Sequence, residues 1–116
     1  MGVTHVFAGI PVADFEAARA WYERFAARPP DLVPHSREAA WQLTESGWIY
    51  VVADAGRAGS ALVTVLVDDL DERIAGLRER GLEVGEVETI ADGVRKVAVH
   101  DPDGNAITLG QPPPQS

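Results

Sequence analysis

Val12-Ala13-Asp14-Phe15-Glu16 and Val67-Asp68-Asp69-Leu70-Asp71 are one phrase written twice, fifty-five positions apart. In each copy a strand-like apolar run ends at an aspartate suited to cap a helix. A repeat on that scale means two copies of one small unit. Neither copy can bury its apolar face alone, so the two must pack together. Function is expected where they meet.

Outward from the first copy, Val6, Ala8 and Ile10 fall on one parity and His5, Phe7 and Gly9 on the other, which reads as a strand with inequivalent faces. Phe15, Ala18, Tyr22 and Phe25 then recur at helical spacing until Pro29-Pro30 forbids continuation. Trp21 lies off that stripe and is expected to project toward a neighbouring element or a second subunit. Three short strands follow at Leu32-Val33, 39–44 and 48–52, the last two joined by a turn at Glu45-Ser46-Gly47.

The second copy continues in the same way. A strand over 62–67 leads to a helix capped by Asp69, with Leu70, Ile74 and Leu77 on its stripe and Gly81 as its stop. Strands are expected at 83–87, 94–100 and 106–110, with Asp101-Pro102-Asp103-Gly104-Asn105 as the final hairpin turn. The fold class is therefore α+β: two βαβββ modules, 3–53 and 61–111, joined by a linker over 54–60 that carries Gly56, Gly59 and Ser60. Together they are expected to make one domain over 1–111, followed by a disordered Pro- and Gln-rich tail over 112–116.

Size and composition agree with that plan. The chain of 116 residues suffices for one sizeable core but not for two independent ones. It has no cysteine, which removes disulfides and thiolate metal sites and suits a reducing cytoplasm. No membrane-length apolar run or signal-peptide pattern is present, so the expectation is a cytoplasmic protein. Eighteen acidic against ten basic residues give a charge of −8, which repels a phosphate backbone and argues against nucleic acid as a partner. The same field weakly attracts cations, although most acids fall on solvated helix faces.

A duplicated βαβββ unit whose second copy closes on Asp101-Pro102-Asp103-Gly104-Asn105-Ala106-Ile107-Thr108-Leu109 resembles the vicinal oxygen chelate superfamily, the group of glyoxalases, bleomycin resistance proteins and extradiol dioxygenases. The paired junctions at Asp14 and Asp69 and the aromatic pair Trp21-Tyr22 add to the likeness, which spans residues 3–111. The resemblance implies two curved mixed sheets forming a cup, and a homodimer, in some members with the cup built across the subunit boundary. It also implies that metal-dependent members carry one ligand on the first and last strand of each half. Those positions are here Phe7, Tyr50, Leu62 and Thr108, with Thr108 where metal-binding relatives have Glu.

None of the four is a good ligand. A divalent transition metal wants three or four convergent His, Asp, Glu or Cys donors, whereas phenyl and isobutyl groups offer no lone pair. His5 does not replace Phe7, because two residues along a strand displace a donor by about 6–7 Å. The expected cofactor is therefore none.

Face assignment follows from the helices, beneath which the purely aliphatic parity of each strand should pack. That places Val63, Val65, Val97, Val99, Ile107 and Leu109 under cover. His5, Phe7, Tyr50, Leu62, Thr64, Leu66, Lys96, Ala98, His100 and Thr108 then face the cup, with the parity of Trp41 and Gln42 ambiguous. Phe7, Tyr50, Leu62, Thr64 and Thr108 become the candidate ligand-binding residues, an aromatic and aliphatic lining with a few polar groups. Phe7 and Tyr50 either stack on a planar ligand or simply fill space where relatives hold a metal. Tyr50, His100 and His5 are the catalytic candidates, while His35 reads as surface and Lys96 as a lysine snorkelling from a sheet edge.

Three functions compete. The first is metal-free binding of a small, partly apolar molecule. The second is a glyoxalase-like isomerase or lyase, using either a metal set drawn from His5, His100 and an acid or metal-free catalysis by Tyr50 and a histidine. The third is an interaction module docking through Trp21 and the sheet edges.

Overall fold

A computed structural model describes residues 2–113. Its elements run β1 (Val6–Val12), α1 (Phe15–Ala26), β2 (Leu32–His35), β3 (Glu38–Gln42), β4 (Gly47–Ala53), β5 (Leu62–Leu66), α2 (Leu70–Glu79), β6 (Glu88–Thr89), β7 (Arg95–His100) and β8 (Ala106–Gln111). Of the tail expected over 112–116, Pro112 and Pro113 are exposed coil and 114–116 lie outside the described residues.

The strands form two four-stranded sheets with the same connectivity, β1-β4-β3-β2 and β5-β8-β7-β6. In each, the strand before the helix pairs parallel with the last strand, and antiparallel hairpins build the rest. The repeat seen in the sequence is thus a repeat of topology. No helix among the described residues is long and apolar enough to cross a membrane.

Both helices begin as their caps dictate. Asp14 accepts a hydrogen bond from the Ala17 N–H at 3.2 Å, and Asp69 accepts one from Glu72 at 3.0 Å. Their ends differ. The second stops before Gly81, whose φ of +86° suits a residue without a Cβ, whereas the first ends on Ala27 at φ 61°.

The apolar parity of the strands packs beneath the helices. One cluster joins Ile10, Val12, Ile49, Val51, Ala39 and Trp41 to Phe15, Ala18 and Tyr22 of α1, and also takes in Ile107 from the other half. A second joins Val97, Val99 and Leu109 to Leu70, Ile74 and Leu77 of α2. Trp21 and Phe25, stacked at 5.7 Å, touch both clusters. Trp21 therefore plugs the seam between the halves; its place off the α1 stripe reflects a second sheet to pack on.

One strand expectation fails. Residues 83–87 do not pair as a strand, and the short β6 forms instead at Glu88–Thr89. Leu82 and Val84 pack on the helix-side core, yet Glu88, of the same parity, sits opposite Lys96 on the other face. A regular pleat cannot put one parity on both faces, so the chain must twist between them, and a single bond from the Gly85 N–H to the Ala98 carbonyl, at 3.4 Å, remains.

The Asp101–Asn105 turn does more than reverse the chain. Asn105 is fully buried; its Oδ1 accepts from the N–H groups of Gly59 and Ala61 at 3.0 and 2.9 Å. Its Nδ2 donates to the Pro11 carbonyl and to Asp101 Oδ2, both at 2.9 Å. Buried Asp101 further accepts from the Tyr22 hydroxyl at 2.8 Å and from the N–H groups of Asp103 and Asn105. One clasp therefore ties the end of β1, helix α1, the linker and the β7–β8 turn. Burial pushes the Tyr22 hydroxyl far above the ordinary phenol range, and the Asp101 carboxylate adds to the shift.

Candidate functional site

The faces turned away from the helices hold the candidate residues. Register places Phe7, Gly9 and Pro11 of β1 beside Trp48, Tyr50 and Val52 of β4, with Gln42, Ala40 and Glu38 of β3 next across. In the second sheet Leu62, Thr64 and Leu66 lie beside Ala106, Thr108 and Gly110, then His100, Ala98 and Lys96. Trp41, ambiguous by parity, is buried on the helix side, and Gln42 belongs to the open face.

Local sequence shapes this surface. Gly9 lets Tyr50 lie across β1: a Cβ there would sit 2.5 Å from the Tyr50 hydroxyl oxygen. Phe7 stacks on Trp48, ring centroids 5.2 Å apart and planes within 20°. The first sheet therefore offers an aromatic shelf of Phe7, Trp48 and Tyr50. The second offers Leu62 and Leu66 flanking the cross-strand pair Thr64 and Thr108.

These faces are open within one chain. Leu62 is 86% exposed, Leu66 67% and Phe7 47%. A hollow of about 630 Å³ lies between β7 and residues 83–88, lined by Glu83, Glu86, Glu88, Ala98 and His100 among others. Another of about 880 Å³ lies where Phe25, Leu43, Val67, Leu77 and Arg80 converge. Neither is lined by Phe7, Tyr50, Leu62, Thr64 or Thr108.

The charged candidates are scattered. His5 precedes β1, exposed and bonded to Thr4 Oγ1 at 3.0 Å; His100 is exposed at the end of β7. Lys96 lies 3.9 Å from Glu88, and His35 pairs at the surface with Glu38. Among the described residues no group of three or more His, Cys, Asp or Glu could hold a metal ion, so the set of His5, His100 and an acid is not assembled. Phe7, Tyr50, Leu62 and Thr108 do not fit a divalent metal either, since two hydroxyls are their only donors.

A family model described as the Glyoxalase/Bleomycin resistance protein/Dioxygenase superfamily matches residues 2–109. The chain belongs to this superfamily. Its fold agrees with solved members: a glyoxalase/bleomycin resistance protein from Catenulispora acidiphila is 46% identical, with 94% of this chain and 98% of that one covered and a TM-score of 0.89. An antibiotic binding protein from a Streptomyces strain is 27% identical over 97% of this chain and 99% of that one, TM-score 0.77. A bleomycin-binding protein solved with bleomycin is 21% identical, covers 94% of this chain and 98% of that one, and superposes at TM-score 0.77. A comparison with curated proteins returns no significant match.

Within this superfamily fold, sequence reasoning overlooked two features. Trp48 reads in the sequence only as the start of a strand, although its parity with Tyr50 places it on the open face. The Asp-Pro-Asp-Gly-Asn phrase read as a turn, and only the assembled structure brings Pro11, Gly59 and Ala61 to Asn105.

Proposed function

We propose that this superfamily member binds a small, partly apolar molecule without a catalytic metal, in a cup that two copies of the chain complete. The observation that carries the reading is the chemistry of Phe7, Tyr50, Leu62 and Thr108, which offer shape, hydrocarbon and two hydroxyls instead of a donor set. The kinship with an antibiotic binding protein at 27% identity supports it.

The homodimer is supported by exposure. Leu62 and Leu66 are largely uncovered, and both β1 and β5 are edge strands with one side unpaired. A second copy that set the aromatic shelf of one chain against the Leu62–Leu66 face of the other would cover both and enclose a cup.

Native mass spectrometry with elemental analysis tests the proposal. The expected result is a dimer, a copurified or added organic guest, and metal far below one per chain; Leu62→Arg should give monomers that lose the guest. Stoichiometric metal held by cup residues overturns the metal-free reading. Chelator-insensitive turnover of a substrate with adjacent oxygens, lost in Tyr50→Phe, would replace binding with catalysis.

A further inference from the structure

Among the described residues, Trp48 Nε1 is the one buried side-chain nitrogen or oxygen without a hydrogen-bond partner. An indole N–H can only donate, so it has no other way to be satisfied, and leaving it dry is costly. The contrast with Trp41 is direct, because the Trp41 N–H, in the core, donates to the Arg28 carbonyl at 3.1 Å. Gln42, opposite Trp48 in the register, does not accept it either; its side-chain amide is turned to Glu45, whose carbonyl accepts from Gln42 Nε2 at 3.0 Å. Trp48 therefore stands on the open face, stacked with the half-exposed ring of Phe7, with its N–H unpaired while every other buried side-chain nitrogen and oxygen described has a partner.

We infer that Trp48 Nε1 is a specificity-determining donor of the cup. It selects planar ring molecules that carry a hydrogen-bond acceptor, a ring nitrogen or carbonyl, at their edge. This inference rests on the guest-binding reading above and narrows it to a ligand class. The guest enters edge-on, in the plane of the indole, presents its acceptor to the N–H, and stacks its own face on a neighbouring ring of the shelf. Both the stack and the missing hydrogen bond are then supplied by one molecule. A ring of the same shape without an acceptor gains the stack alone and leaves the N–H unpaired, the kind of mismatch that discriminates most strongly.

Quinoline and naphthalene, equal in shape and different in one ring atom, are the probes. Their affinities for the wild-type protein and for Trp48→Phe are compared by NMR titration, following the indole N–H resonance that disappears in the variant. Because Trp48→Phe alters packing for both probes alike, the ratio of their affinities isolates the donor. The quinoline-to-naphthalene ratio should fall about tenfold in the variant, the equivalent of one hydrogen bond. Quinoline alone should move the Trp48 indole proton downfield in the wild type, a readout that holds even if the variant folds poorly. An unchanged ratio, or identical indole shifts with both probes, overturns the donor role and leaves guest binding standing. Failure of both probes to bind overturns the two together.

Discussion

Truncating Asn105 to alanine should be the most damaging side-chain truncation available outside the apolar core. The side chain is fully buried and takes part in four hydrogen bonds, to Gly59, Ala61, Pro11 and Asp101. Gly59 and Ala61 are half-buried, so water entering the space left by the amide recovers part of their loss. The buried Asp101 carboxylate loses a donor and at least one of the backbone groups remains dry, at about 1–3 kcal/mol each, for a total of about 3–4 kcal/mol. Tyr22→Phe removes only the bond to Asp101, which keeps its other three donors, and should cost about 1.5–2 kcal/mol. Urea unfolding with a shared m-value measures both, and the Asn105→Ala midpoint should fall by roughly 10–20 °C in a thermal scan. Asn105→Asp should be worse than alanine at neutral pH, because it turns a second carboxylate oxygen toward Asp101. A loss below about 1 kcal/mol for Asn105→Ala, or one smaller than that of Tyr22→Phe, would refute the clasp.

Ala27→Gly should stabilise the chain by about 0.5–1 kcal/mol, since Ala27 closes α1 at φ 61°, where a Cβ is strained; chemical denaturation reads the gain. Gly9→Ala should preserve the fold, measured by circular dichroism, but push Tyr50 off β1 and change guest affinity severalfold, because the new Cβ would meet its hydroxyl at 2.5 Å. The Gln42 N–H, and after it Arg28, hold the Asp31 carboxyl below the usual aspartate range. Its folded pKa lies under the unfolded value of about 3.9, so its contribution is present above that pH and lost as pH falls through the folded value. Wild-type protein should therefore exceed Asp31→Asn in stability at pH 7, with the gap closing below about pH 4 in urea titrations.

Much of the architecture was legible because it rests on local rules. Asp14 and Asp69 cap helices by reaching their own N–H groups three residues on, and the strand parities hold wherever one face is uniformly aliphatic. Residues 83–87 escaped the same reasoning, since their alternation looks strand-like. What breaks it is the demand that Val84 meet the core while Glu88 meets Lys96, a conflict between distant partners that no local window contains.

The candidate site divides along the same line. Period-two alternation was enough to turn Phe7, Tyr50, Leu62, Thr64 and Thr108 to one side of their sheets, because a strand offers its side chains only two directions. Three-dimensional packing settled how the halves meet: through Trp21, Phe25 and Ile107 on the helix side, with the opposite faces left open in a single chain. Contacts between the halves are long-range, and their geometry depends on side-chain volumes that alternation does not encode. The Asn105 clasp belongs with them, because a buried amide finds its four partners only after β1, the linker and the last hairpin have converged.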